Sequence, residues 1–173
     1  KDLGKYKVDQ ARKVIKNINK KIKITSYRKA ITKKNINSIL KNYDIICDGT
    51  DNFKSRYLIN DYCMKKKKIL ISAAISKYDG HIFKFNFKKK TPCFRCFMPQ
   101  IPKNQYNCDT EGIISTLAGI MGTMQANEVI KSIINSKSDL SGKMIVFNSL
   151  SLDLRKVKLS SNTNCINECK KIK

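Results

Sequence analysis

Apolar residues first recur at helical spacing. Between Lys1 and Lys20, Val8, Ala11, Val14, Ile15 and Ile18 fall three and four positions apart, which predicts an amphipathic helix. Lys21 to Tyr27 switches to alternation, Lys-Ile-Lys-Ile-Thr-Ser-Tyr, and predicts a short strand. Ile36, Ile39 and Leu40 predict a brief helix. Ile45-Ile46-Cys47 is then an apolar run without polar alternation, bounded by Asp48-Gly49-Thr50, as expected of a strand buried on both faces of a parallel sheet. Thr50, Asp51 or Asn52 can cap the helix that follows, in which Phe53, Tyr57, Asn60, Cys63 and Met64 recur up to the lysine run at 65–68. Ile69 to Ile75 predicts another apolar strand. The order α, β, α, β, α, β argues for the α/β class and a mostly parallel sheet with helical crossovers. Such sheets take ligands at the carboxyl ends of their strands, so Asp51 and Asn52 are candidates for binding as well as for capping.

Beyond Tyr78-Asp79-Gly80 the pattern changes. His81 to Phe87 alternates phenylalanines with polar neighbours and predicts a strand with one wetter face. Phe97 to Glu111 has two prolines, several amides and no periodicity, and predicts a long loop. Gly112 to Asn135 predicts a long helix whose Gly119 and Gly122 permit close approach of another element. Lys143 to Asn148 and Leu154 to Leu159 predict a closing, antiparallel hairpin-like pair. With no internal repeat or linker, residues 1–173 read as a single domain.

Composition changes this picture little. A formal charge of +23 suggests a nucleic-acid partner, but the lysines are dispersed beside almost every predicted element, and the abundance of Lys, Asn and Ile fits AT-rich codon drift. Nucleic acid is therefore not the expected partner, and a basic zinc protein that grips it is the alternative reading. The most apolar segment, Gly112 to Ile134, is interrupted by polar and charged residues, so no membrane span is expected. No secretory signal is visible, and the chain is expected to be cytoplasmic.

The seven cysteines add chemistry. Cys93-Phe-Arg-Cys96 and Cys165-Ile-Asn-Glu-Cys169 form two close pairs far apart in sequence. Four thiolates brought together would make a closed, structural zinc site, since soft sulfur ligands select that ion. His81, following Gly80 at a strand start, is expected at a solvated edge and outside that site.

An ordered set of motifs runs along the whole chain: Asp48-Gly-Thr-Asp-Asn-Phe with Arg56 and Asn60, Cys93-x-x-Cys96, Cys108-Asp-Thr-Glu-Gly112, Gly119-Ile-Met-Gly-Thr-Met-Gln-Ala126 with Glu128 and Lys131, and the terminal cysteine pair. This succession closely resembles the ThiF/MoeB family of sulfur-carrier adenylyltransferases, relatives of ubiquitin-activating enzymes. The resemblance implies a Rossmann-like sheet, a homodimer, and adenylylation of the C-terminal glycine of a ubiquitin-like sulfur-carrier protein with ATP and Mg2+. It also implies residue roles. Asp51 matches the magnesium- and nucleotide-side aspartate, Asn52 a nucleotide contact, and Lys7 a phosphate-neutralising lysine. Arg56 matches a nucleotide-side arginine, for which a structural salt bridge is the alternative. Cys108 matches a cysteine that takes the carrier in covalent linkage in some members.

Two departures from the family pattern stand out. The last cysteine pair is Cys-x₃-Cys where Cys-x₂-Cys is usual. The glycine-rich phosphate loop, with its arginine and ribose-side aspartate, is expected upstream of Lys1. The chain is therefore expected to be N-terminally incomplete, with an uncovered sheet edge, and to bind ATP poorly by itself. A fragment or paralogue that only docks a carrier is the other reading this leaves open.

Overall fold

The computed structural model describes residues 2–89, 91–102 and 112–167. The chain divides into two compact units, Lys1–Ile31 and Thr32–Lys173. In the first, helix α1 (Lys7–Ile18) forms where the amphipathic spacing predicts it, and its apolar residues Val14 and Ile18 are exposed. Arg28 turns back on the start of α1, its Nε 2.7 Å from Asp9 Oδ2 and its guanidinium 4.8 Å from the Tyr6 ring centre. Lys21 to Tyr27 is not a strand. Alternation makes a strand only where a neighbouring strand completes its hydrogen bonds, and no described strand pairs with this segment.

The second unit holds a five-stranded sheet. Its elements are α2 (Ile36–Leu40), β1 (Ile45–Asp48), α3 (Phe53–Lys65), β2 (Ile69–Ser76), β3 (Asp79–Asn86), α4 (Phe94–Phe97), α5 (Ser115–Ile133), β4 (Lys143–Asn148) and β5 (Leu154–Lys158). The strands lie in the order β1-β2-β3-β4-β5. This is an α/β fold with antiparallel C-terminal strands, as expected, but among the described strands only β1 and β2 pair in parallel. Connection length explains part of the difference. A parallel pair needs a crossover of roughly a dozen residues or more. The α3 segment supplies one between β1 and β2, residues 77–78 and 149–153 are too short for one, and β3 and β4 run antiparallel although α4 and α5 lie between them. Ser76 pairs directly with Asp79, so the chain reverses through Lys77 and Tyr78, with Lys77 at φ +44°.

β3 is covered on both faces, correcting the expectation of a wetter side. Gly80, Ile82 and Lys84 meet α5. His81, Phe83, Phe85 and Phe87 form a row on the opposite face, where Phe83 packs edge-on against Phe94 of α4 with centroids 5.4 Å apart. Lys84 is buried yet paired. Its Nζ lies 3.2 Å from Glu128 Oε2 and 3.8 Å from Asp139 Oδ2, while Glu128 also accepts from Lys131 and from the Leu140 amide. Burial alone would raise the Glu128 carboxyl, but hydrogen bonds from Lys131 and Lys84 hold it below the usual carboxylate range. β1, by contrast, is buried on one face only: Ile46 and Asp48 point inward and Cys47 is exposed.

The core on the α5 side is built from Ile69, Ile71, Ile82, Leu117, Met121, Leu140 and Phe147. The close approach expected at Gly119 and Gly122 occurs elsewhere. Both of those glycines face open space, whereas a Cβ on Gly80 would sit 2.4 Å from Met121 Sδ. Met121 can therefore seat in the core only because Gly80 carries no side chain. Gly80→Val should cost ~1–3 kcal/mol and Met121→Ala about 2–5 kcal/mol. The double variant should cost less than their sum, because valine's methyl groups enter space that Met121 has vacated. Strictly additive losses in urea denaturation would contradict this contact.

Candidate functional site

The β1-to-α3 loop is built on Asp48. This carboxylate is fully buried at the end of β1, where charge is costly unless it is paired and hydrogen-bonded. It accepts from the Thr50 amide at 2.9 Å, Thr50 Oγ1 at 2.7 Å, Ser72 Oγ at 2.7 Å and Arg56 Nε at 3.2 Å. Arg56 reaches back from the first turns of α3, and its Nη2 donates to the carbonyls of Thr50 at 2.6 Å and Ala73 at 3.1 Å. Gln125 of α5 completes the support: its side-chain amide donates to the carbonyls of Asp48 at 3.0 Å and Ile71 at 2.8 Å, bridging the two parallel strands.

The loop so held presents Asn52 and Asp51 differently. Asn52 is the N-cap of α3, accepting from the Ser55 amide at 2.8 Å. Asp51 is exposed, and the only side chain that donates to it among the described hydrogen bonds is Asn52, at 3.3 Å. An exposed carboxylate at the carboxyl end of a parallel strand, beside a helix N-terminus, suits a divalent cation carried by an anionic ligand.

The cysteines converge. Cys93, at the N-cap of α4, lies with its Sγ 4.0 Å from that of Cys96 and 3.6 Å from that of Cys165. A tetrahedron with Zn–S bonds of 2.3 Å has edges of about 3.8 Å, so these separations fit a shared ion and are far too long for a disulfide. The donor chemistry agrees. Burial, with the adjoining Cys93 adding to it, pushes the Cys165 thiol up to about 11, and three clustered sulfurs become thiolates together only around a cation. Asn167 Nδ2 donates to Cys93 Sγ at 3.6 Å. Cys169, the expected fourth ligand, and Cys108 lie outside the described residues.

The remaining candidates each have their own surroundings. Lys7 opens α1 in the first unit and is exposed. Arg56 is buried with its donors turned inward, the arrangement of a structural ion pair. His81 is half-buried in the middle of the sheet, paired to Ala74 and Val146, and burial lowers its pKa, so the solvated-edge expectation was mistaken. Asp48, Ser72 and Gln125 were not among the candidates. Asp48 read as the start of a turn, and the one available signal was a carboxylate directly following an unbroken apolar run.

Over 167 residues the chain is 34% identical to an "Adenylyltransferase and sulfurtransferase MOCS3" of Culex quinquefasciatus, matching 95% of this chain and 38% of that protein. It is 36% identical over 173 residues to a "Probable molybdopterin-synthase adenylyltransferase" of Pyropia yezoensis, covering 98% of this chain and 45% of that one. The chain thus spans less than half the length of these curated relatives. Among solved structures, E. coli MccB with ATP superposes with a TM-score of 0.80 at 18% identity, covering 98% of this chain and 53% of MccB. PaaA superposes with a TM-score of 0.73 at 14% identity, covering 91% and 56%. At such identities the likeness bears on fold alone. The family model described as "ThiF family" matches residues 1–167, and the chain belongs to the ThiF family.

Proposed function

We propose that this chain carries out, within its full-length protein, the adenylylation of the C-terminal glycine of a ubiquitin-like sulfur-carrier protein. The observation that carries the reading is Asp51, an exposed carboxylate on a loop fixed by the buried Asp48–Arg56 pair. The relatives named as adenylyltransferases support it, as does the fold shared with MccB, which has been crystallised with ATP.

A carboxylate is a weak nucleophile toward a charged triphosphate, so the main task of such a site is positioning and charge neutralisation. In this reading the carrier's terminal carboxylate attacks the α-phosphorus of ATP and pyrophosphate leaves. Asp51 would hold Mg2+, which withdraws charge from the phosphates when bound. Asn52, besides capping α3, would contact the nucleotide, and Lys7 would supply positive charge for the phosphates. Arg56 serves from beneath, keeping the Asp51 loop in place through Asp48 and the Thr50 carbonyl. Cys108 is the position at which the activated acyl group would pass to sulfur, with AMP expelled. Cys93, Cys96, Cys165 and Cys169 would hold a structural Zn2+. Sulfur transfer for thiamine or molybdenum-cofactor synthesis is the role this implies, in the cytoplasm; among the described residues no helix is long and apolar enough to cross a membrane.

We further assign a homodimer to the outer face of α5, where Gly119, Ile120, Thr123 and Ile130 are exposed on an apolar helix. Ile120→Asp with Ile130→Asp should convert a dimer to a monomer in sedimentation at micromolar concentration. A wild-type protein that sediments as a monomer would contradict the assignment.

The function itself is tested by carrier-dependent exchange of pyrophosphate into ATP. Asp51→Ala in the full-length protein should lower exchange by ~10²-fold or more, with the thermal unfolding midpoint unchanged, because an exposed carboxylate is removed and no core contact is lost. Undiminished exchange would show that Asp51 has no part in the chemistry.

A further inference from the structure

Two loops far apart in sequence carry the cysteines, and something other than the thiols must bring them together. The first runs through Cys93 and Cys96, with Arg95 between them. The second carries Cys165, with Asn167 two residues on. Both reach the same carboxylate on α3. Asp61 Oδ1 accepts from Arg95 Nε at 2.8 Å and Oδ2 from Arg95 Nη2 at 2.8 Å, the bidentate fork of an arginine–carboxylate pair. Asp61 Oδ1 also accepts from Asn167 Nδ2 at 2.9 Å and from Asn60 Nδ2 at 3.1 Å. Burial would raise its pKa, but these donors together hold it below the usual carboxylate range, so it is ionised at neutral pH.

The two loops depend on Asp61 unequally. The first has other anchors on α3: the Phe94 amide donates to Asn60 Oδ1 at 2.9 Å, Tyr57 Oη donates to the Met98 carbonyl at 2.6 Å, and the Arg95 guanidinium lies 4.4 Å from the Tyr57 ring centre. The second has few. Among the described residues, and apart from the thiols themselves, the hydrogen bonds that tie residues 160–167 to another element run through Asn167, to Asp61 and to Cys93 Sγ.

We propose that Asp61 is the positioning residue of the metal centre: by gripping Arg95 and Asn167 together, it brings the two cysteine loops into register before the ion binds. The proposal rests on the reading of these cysteines as a zinc site. Without Asp61 the ion itself must close two loops whose cysteines lie 72 residues apart, and the ordering cost then appears as weaker binding. Asp61 touches neither the ion nor the sulfurs. Its effect passes through the backbone placement of Cys93, Cys96 and Cys165 and through the Asn167 hydrogen bond to Cys93 Sγ, the kind of supporting contact whose loss weakens metal affinity ~10–100-fold.

The test is zinc affinity, measured on the full-length protein by competition with a chromophoric chelator. Asp61→Ala should weaken zinc binding ~10–100-fold. Asp61→Asn, which keeps the shape and one acceptor but loses the charge, should fall between it and wild type, and serves if the alanine variant does not fold. Asn167→Ala should weaken binding too, and adding it to Asp61→Ala should cost little more, because both break one link. Glu128→Gln, which unsettles the opposite face of the sheet, should leave zinc affinity unchanged. A wild-type protein without zinc overturns the metal reading and this proposal together. Zinc held as tightly by the Asp61 variants as by wild type, or loosened equally by Glu128→Gln, overturns this proposal alone.

Discussion

A buried carboxylate at the end of a parallel strand governs the candidate site. Asp48 is enclosed beneath the loop it supports, and its charge is balanced by Arg56 from the helix that the same loop begins. Removing one partner of such a pair costs on the order of 3–5 kcal/mol, because the other is left charged in a dry environment. The pair is therefore a poor source of stability compared with apolar packing, but a strong constraint on geometry. Four donors meet one carboxylate and two carbonyls are held by one guanidinium nitrogen, and together they fix Thr50 at the centre of the loop. Asp51 stands outside that network and is exposed.

Helix α3 joins this loop to the cysteines. Its N-terminus is capped by Asn52 beside Asp51, and nine residues further on Asp61 reaches the two cysteine loops. The same helix carries Asn60 and Tyr57 against α4. One helix thus bears on both the Asp51 loop and the cysteine cluster.

Much of this was legible in the sequence. Helical spacing located α1, α3 and α5 to within a few residues, and the two closing strands were found where alternation put them. The cysteine spacing pointed to a cluster, and three of its members meet. What escaped was set by partners remote in sequence. Lys84, between Phe83 and Phe85, read as part of a solvated face, and only Glu128, 44 residues later, makes its burial possible. The segment 21–27 alternates like a strand but has no partner to make it one. Gly119 and Gly122 drew attention because glycine is unfavourable in helices, whereas Gly80, hidden in a turn-like triplet, is where the close packing occurs. Asp48 looked like punctuation, since a single carboxylate after an apolar run gives no hint of the four donors folded around it.

The central claim is that Asp48 and Arg56 hold the loop that presents Asp51. It is tested most directly by amide hydrogen exchange in Asp48→Asn compared with wild type. Hydrogen bonds to charged groups contribute about 1.5–3 kcal/mol, so the Thr50 amide should exchange roughly tenfold faster or more in the variant. The amides shared by β2 and β3 should keep their protection. Unchanged exchange at Thr50 and through residues 49–52 would show that the loop is held by something other than this buried pair.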